Sequence, residues 1–160
     1  MRKWSFALVV AVAVLASSAG ASTGGACNLV SSKQLGALGV TASCKGRVLP
    51  GKSGSISSAN WGAPGTDNVA LALNVNTFND THGAVWQANM QLLKVMASGN
   101  VKKVSGIGSV AYEGGGVGHT IAELHFVKGK RIIVLSWYSK KPLTSVKAFN
   151  ALAKSLAAQL

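Results

Sequence analysis

The chain has 160 residues, 48% of them hydrophobic, and it carries 16 Lys and Arg against only 4 Asp and Glu, a formal net charge of +12 at pH 7. With so few acids, a hydrolase that works through two paired carboxylates is hard to build. The positive field favours anionic partners such as envelope phosphates or acidic polysaccharide, although exported proteins are often basic without such a partner. Nucleic acid suits the chain less, because the cations are scattered and lack interleaved aromatic side chains that stack bases.

Residues 1–21 predict a secretory signal peptide. A basic pair at residues 2–3 precedes an apolar run from Phe6 to Ala16, and the A-G-A sequence that ends at Ala21 offers a cleavage site. The run is shorter than the roughly 20 residues that a helix needs to cross a bilayer, so we expect no stable membrane anchor. The mature protein is expected to be periplasmic or secreted, cleaved after Ala21.

Export decides how the two cysteines are interpreted. In an oxidising compartment Cys27 and Cys44 make an even pair, and one disulfide is the most economical assignment. Lipidation of Cys27 is an alternative, but the residues before it lack the expected large aliphatic side chain. A metal site on two isolated cysteines without a local histidine is the other alternative. After a flexible lead at residues 22–26, we expect residues 27–160 to form a single domain.

The first elements are a helix and two strands. Ser31 and Gln34 form a capping box for a short helix that ends at Gly39. The Gly-, Ser- and Pro-rich stretch that follows contains only a weak strand, from Ile56 to Trp61. A stronger strand begins at Val69, with Leu and Val on one face and Ala and Asn on the other.

A second helix follows, capped by Asp80 or Thr81 and ended by Gly99. Its predicted inward stripe combines seven apolar residues, namely Val85, Ala88, Leu92 and Met96, widened by Trp86, Met90 and Leu93.

Three strands and a helix complete the chain. A short strand lies around Ser109 to Tyr112, and the two after it form a hairpin that turns at Lys128-Gly129. This turn places Leu124 opposite Ile133. The last helix is amphipathic and capped by Thr144 or Ser145.

The order of these elements predicts an α+β domain. We expect an antiparallel sheet of about five strands with the helices packed on one face, in the order α-β-β-α-β-β-β-α.

Two glycine motifs match nucleotide-binding patterns. The stretch "GRVLPGKS" at residues 46–53 satisfies G-x-x-x-x-G-K-[ST], but neither a buried strand before it nor a helix after it is expected. The stretch "GIGSVA" at residues 106–111 satisfies G-x-G-x-x-A, yet it leads into a strand and a run of glycines. We interpret the first as hinges and the second as a turn whose glycines adopt positive φ or allow close backbone approach, and we expect no nucleotide.

One group of polar residues is a candidate ligand groove. Glu123 and His125 share a face of the hairpin, and Asn74 and Asn76 lie on the polar face of the earlier strand. If those strands are neighbours, the four side chains line a shallow groove that Trp61, Trp137 or Tyr138 could wall. A solvated outer face of an antiparallel sheet is the plainer interpretation of the same residues.

Several segments together resemble small exported bacterial proteins of unknown function. They are "CNLVSSKQLGALG" with a second cysteine nearby, a central helix, "VSGIGSVAY", the "VKGKRIIVL" hairpin and "SVKAFNALAKSLAAQL". Similar patterns occur in lipoproteins and in the extracellular sensor domains of bacterial receptor kinases. The resemblance implies a fold, a disulfide that ties down the leading helix, and an exported location; it implies no catalytic residues.

From these observations we expect an exported, non-catalytic binding or envelope-associated domain without a cofactor. Its partner would be an anionic envelope component or another exported protein. Two alternatives stay open, namely an inhibitor or immunity-type protein that caps another exported protein, and an envelope hydrolase. A basic groove would favour the binding domain, a large exposed apolar patch the inhibitor, and a Ser and His within hydrogen-bond reach the hydrolase.

Overall fold

The computed structural model describes residues 25–79, 83–96 and 100–160. The predicted signal peptide, its cleavage after Ala21, the Asp80 or Thr81 cap, the Met96 side chain and Gly99 lie outside this part. After a 3-10 helix at Ala26–Leu29, the elements are α1 Ser32–Ala37, β1 Cys44–Gly51, β2 Gly54–Trp61, β3 Val69–Phe78, α2 Gly83–Met96, β4 Val101–Lys103, β5 Val110–Gly115, β6 Ile121–Lys128, β7 Arg131–Ser139 and α3 Lys147–Gln159.

The seven strands form one antiparallel sheet in the order β1-β2-β3-β7-β6-β5-β4. Consecutive strands are neighbours except β3 and β4, which are separated by β7, β6 and β5. The two edges of the sheet are therefore β1, which is eight residues long, and β4, which is three.

The prediction of about five strands is wrong because two strands were missed. β1 has almost no buried side chain, so it shows no alternation, and it contains Gly46, Pro50 and Gly51. β4 is too short for any periodicity. Both become strands only by pairing, β1 with β2 and β4 with β5.

One surface of the sheet, which we call the core face, carries the main hydrophobic core. Leu73, Leu135 and Leu124 lie side by side on β3, β7 and β6, and all three are fully buried. Helix α3 packs on this surface, where Phe149 stacks on Trp137 with ring centroids 6.0 Å apart. The 3-10 helix contacts β1, β2 and β3, and its Ala26 belongs to the same core.

Helix α2 lies on the opposite surface, which we call the second face. It packs on β5 and β6, where the rings of Trp86 and Tyr112 lie 6.2 Å apart. Six consecutive residues of β6 are buried, as expected for a strand covered on both sides. The prediction that all helices pack on one face is therefore wrong.

The orientation of α2 differs from its predicted stripe. Leu93 is fully buried, whereas its neighbour Leu92 is 53% exposed, and Val85 and Val95 are exposed as well. The helix carries apolar residues on two sides, so its sequence does not tell which side meets the sheet.

The β6–β7 hairpin turns one residue later than predicted, around Gly129-Lys130. Leu124 consequently pairs with Leu135 and not with Ile133. Since the register shift is an even number of residues, every side chain stays on its predicted face.

The predicted start of α1 and the predicted disulfide agree with the structure, whereas the predicted cap of the last helix does not. Ser31 and Gln34 form the predicted capping box, and Gly39 has a positive φ at the helix end. Helix α3 starts without a side-chain cap, although Ser145 Oγ accepts a hydrogen bond from Lys147 N. The predicted Cys27–Cys44 disulfide is confirmed and ties the 3-10 helix to β1.

Candidate functional site

The register of the sheet arranges the second face in rows that run across the strands. One row contains Arg47, Ser58, Asn74, Val134 and His125, in the order β1, β2, β3, β7 and β6. The next row contains Lys45, Asn60, Ala72, Ser136 and Glu123 in the same order. Basic residues therefore stand at one end of both rows, and the predicted acid and imidazole stand towards the other.

The predicted groove residues all lie on the second face but divide into two groups. Asn74 and Asn76 are half-buried on β3, whereas Glu123 and His125 are 7% and 1% exposed on β6. The two strands are not neighbours, because β7 lies between them. The structure thus separates an accessible amide pair from a buried pair of one carboxyl and one imidazole group.

Of the three aromatic residues predicted to wall the groove, only one is on the correct surface. Tyr138 pairs with Ala70 and Ile121 on the second face. Trp61 and Trp137 belong to the core face and are buried there.

Glu123 is the centre of a buried polar cluster. Ser136 Oγ donates a hydrogen bond to Glu123 Oε1 at 2.8 Å, and His125 Nε2 lies 3.4 Å from Glu123 Oε2. In the part of the chain that the structure describes, His125 Nδ1 is buried and has no hydrogen-bond partner. Sequence reasoning missed Ser136, although the correct hairpin register would have placed it opposite Glu123.

The cluster is not arranged as a nucleophile with its base. Activation of a serine requires that its hydroxyl donate to an accessible base. Here the Ser136 hydroxyl donates to the carboxylate, and the imidazole lies on the other oxygen of that carboxylate. This arrangement stabilises a buried acid by two polar neighbours.

On β1, β2, β3 and β7 the second face is half-buried or exposed except at Ala70 and Ile132, and we call this part the open face. Its floor is polar at Ser58 and Asn74, which are half-buried, and at Asn60, which is exposed. Asn76 Nδ2 donates to the Ile132 carbonyl at 3.4 Å. The Asn74 amide finds no partner within residues 25–79, 83–96 and 100–160, so it is available to a ligand.

Helix α2 forms an apolar wall beside the open face. Trp86 and Lys94 line a pocket with Tyr112 on the β4 side of the helix. At about 100° per residue, Val85 and Leu92 lie on the opposite side, which faces β7. Both are exposed, so the wall has no cover within the described residues.

Two shallow pockets lie away from the open face. The first, of about 410 Å³, lies between α2 and the β4–β5 edge and is lined by Trp86, Gln87, Met90, Lys94, Val101 and Tyr112. The second, of about 310 Å³, surrounds the basic β6–β7 turn, where Arg131 donates to the Leu160 carbonyl. Neither contains any of the predicted groove residues.

The two glycine motifs have structural roles. Residues 46–51 of "GRVLPGKS" belong to β1, Lys52-Ser53 is a turn, and β2 follows where a phosphate loop requires a helix. In "GIGSVA", Gly106 and Gly108 have positive φ, and a Cβ at Gly108 would collide with the Val127 carbonyl. The predicted turn before β5 is confirmed.

No family model, curated protein or solved structure matches the chain. Two further facts bear on its location. No helix in the described ranges is long and apolar enough to span a membrane. The disulfide is compatible with a place outside the cytoplasm, because such bonds persist in oxidising compartments.

Proposed function

We propose that the protein is an exported, non-catalytic binding domain that holds an anionic ligand on the open face. The observation that carries this proposal is the distribution of charge across the two rows. Lys45 and Arg47 form the β1 border of the open face, and the sequences of β1 and β2 contain no acid. A ligand on the polar floor therefore meets positive charge at one side and amide and hydroxyl groups beneath it.

The two border cations are available to a ligand. Both are exposed, and neither contacts a carboxylate in the part of the chain that the structure describes. The whole chain also has a net positive charge, which attracts anions before contact. Asn74 and Ser58 then supply donors and acceptors of the kind that bind hydroxyl and carboxylate groups.

The geometry of the buried cluster supports a binding role over hydrolysis. A hydrolase needs a serine hydroxyl and an imidazole in direct reach of each other and of a substrate. Ser136 instead donates to Glu123, and His125 is 1% exposed on β6, a strand on which α2 packs. A substrate on the open face would not reach that imidazole.

An inhibitor-type protein that caps another exported protein is the second candidate. It is favoured by exposed apolar side chains, namely Leu49 and Ile56 on the open face itself and Val85 and Leu92 beside it on α2. Exposed apolar side chains beside charged ones are typical of protein interfaces. In this case the anionic ligand is an acidic surface of the capped protein.

Titration of the labelled protein with an oligomer of polygalacturonate, observed by amide NMR, tests the proposal. We expect shifts at Ser58, Asn60 and Asn74. The variant Lys45→Ala/Arg47→Ala should bind about tenfold more weakly.

A matched control removes the same charge from the opposite edge of the sheet, as Lys102→Ala/Lys103→Ala. This control should change affinity by less than about twofold at constant salt. Equal losses in both variants, or shifts spread evenly over the surface, would show that the open face is not a specific site.

A further inference from the structure

Strand β1 presents an open backbone edge. In the part of the chain that the structure describes, it is the outermost strand of the sheet, and β2 is its only partner, through all eight of its residues. Exposed strand edges usually carry protection, because their free N–H and C=O groups pair readily with other chains. The opposite edge is short, since β4 has three residues, whereas β1 is long enough for a full strand to pair with it.

The hairpin geometry shows which backbone groups of β1 point outward. The register closes at Gly51 and Gly54 around the turn Lys52-Ser53, and the closing pair of such a turn exchanges hydrogen bonds. Bonded pairs alternate with unbonded ones in an antiparallel ladder, so Gly46, Val48 and Pro50 direct their backbone groups away from β2.

The position of Pro50 agrees with this assignment. A proline has no N–H, and within sheets it occupies edge positions where no ladder hydrogen bond is lost. The N–H groups of Gly46 and Val48 remain as outward donors. Within residues 25–79, 83–96 and 100–160, no other segment makes a backbone hydrogen bond to them.

We propose that β1 is a strand-addition site for an extended acidic segment of a partner protein. An added strand pairs with the outward groups of Gly46 and Val48 and extends the sheet to eight strands. Alternate side chains of that strand then lie beside Lys45 and Arg47 on the open face. Opposite charges at neighbouring positions of paired strands are favourable, so these side chains should be acidic.

The same charges argue against a second copy of this chain. Two β1 strands paired antiparallel would bring Lys45 and Arg47 of both copies onto one surface. Like charges on paired strands are destabilising, and neither β1 nor β2 contains an acid that would neutralise them. The occupant therefore has to supply the negative charge. This inference rests on the proposed function, which is the binding of an anionic ligand, and it specifies that ligand as an acidic polypeptide segment.

A peptide of about ten residues that alternates Glu with Thr is the probe, used with the disulfide-linked protein. Hydrogen exchange followed by NMR should show that the peptide slows exchange of the Gly46 and Val48 amides. A peptide of the same sequence, methylated on alternate backbone nitrogens, has equal charge but cannot pair as a strand. It should bind at least about tenfold more weakly.

Two variants at one position distinguish the contribution of the backbone N–H to peptide affinity from that of the side chain. Val48→Pro removes the outward N–H, whereas Val48→Ala shortens the side chain and keeps the donor. We expect a loss of at least about tenfold in peptide affinity for Val48→Pro and less than about threefold for Val48→Ala. If Val48→Pro fails to fold, the methylated peptide on the unaltered protein decides the question.

Equal binding of the methylated peptide, or unchanged exchange at Gly46 and Val48 while the peptide is bound, would overturn the strand-addition proposal. Failure of the peptide to bind at all would overturn it too. If polygalacturonate still shifted the Asn74 amide signal in any of these cases, the proposal that the open face binds an anion would stand. Slowed amide exchange without any polygalacturonate shifts would instead support strand addition and remove the open face as a site for anionic polysaccharide.

Discussion

Glu123 on β6 and Ser136 on β7 lie opposite each other, and the serine hydroxyl donates to the carboxylate at 2.8 Å. The same carboxylate lies 3.4 Å from His125 Nε2, and the acidic and imidazole side chains are at most 8% exposed. A buried acid is tolerated only with polar partners, so the two neighbours of Glu123 hold it in place jointly.

Removal of the serine hydroxyl should therefore destabilise the sheet. We expect Ser136→Ala to lower the free energy of unfolding by about 1.5–3 kcal/mol, the range for a hydrogen bond to a charged group. Urea unfolding followed by circular dichroism measures it. Ser105 is exposed, so Ser105→Ala is the control. Its free energy of unfolding should stay within about 0.5 kcal/mol of that of the original protein. In a double-mutant cycle with Glu123→Ala, a coupling below about 0.3 kcal/mol would contradict a direct interaction.

The disulfide should stabilise the fold mainly by lowering the conformational entropy of the unfolded chain. Cys27 and Cys44 are 17 residues apart, and closing a loop of this size stabilises a fold by about 3 kcal/mol in the chain-entropy model. Cys27→Ala/Cys44→Ala should lower the free energy of unfolding by about that amount, as should reduction of the original protein. A reductant should have no effect on the double variant. Unchanged urea midpoints after reduction would contradict the prediction.

Two adjacent leucines test how α2 faces the sheet. Leu93 is fully buried and Leu92 is 53% exposed. We expect Leu93→Ala to cost about 2–5 kcal/mol, as for other buried leucines, and Leu92→Ala to cost less than about 0.5 kcal/mol. Thermal unfolding of both variants compares them directly. The reverse ranking would mean that α2 is rotated towards its other apolar side.

The close approach of two strands at Gly54 predicts a strong effect of a methyl group. Gly54 has a φ of 146°, and a Cβ there would collide with the Thr77 carbonyl oxygen on β3. Gly54→Ala should lower the free energy of unfolding by about 1–3 kcal/mol. Gly36→Ala is its control, because a Cβ at this position in α1 meets nothing within 4 Å. This substitution should raise the free energy of unfolding by about 0.5–1 kcal/mol. Similar unfolding midpoints in the two variants would argue against the β2–β3 contact.

Features governed by neighbours along the chain could be predicted from the sequence. The Ser31–Gln34 capping box depends on residues three apart, and the faces of β6 and β7 depend on alternation. The predicted β6–β7 register differs from the observed one by two residues because the turn lies one residue later than predicted. A shift of two residues leaves every side chain on the same face of the sheet, so the prediction that Glu123 and His125 share one surface is correct.

Features governed by distant partners could not be predicted in this way. The insertion of β7 between β3 and β6 separates Asn74 from His125, and no local pattern specifies which strands are neighbours. The burial of Glu123 has the same origin. A polar residue on an alternating strand is expected to face water, but Glu123 lies on β6, a strand that α2 also contacts, and it is 7% exposed.

The sequence by itself determined the surplus of positive charge, the pairing of two cysteines, the start of α1 and the faces of the hairpin strands. These properties follow from composition or from residues close together in the chain. The tertiary structure alone decided that "GRVLPGKS" contributes most of an edge strand, that α2 buries one of its two apolar sides, and that Lys45 and Arg47 border a polar sheet face. The reason is physical. A strand without a buried side has no hydrophobic period, and it exists because a neighbouring strand supplies its hydrogen bonds.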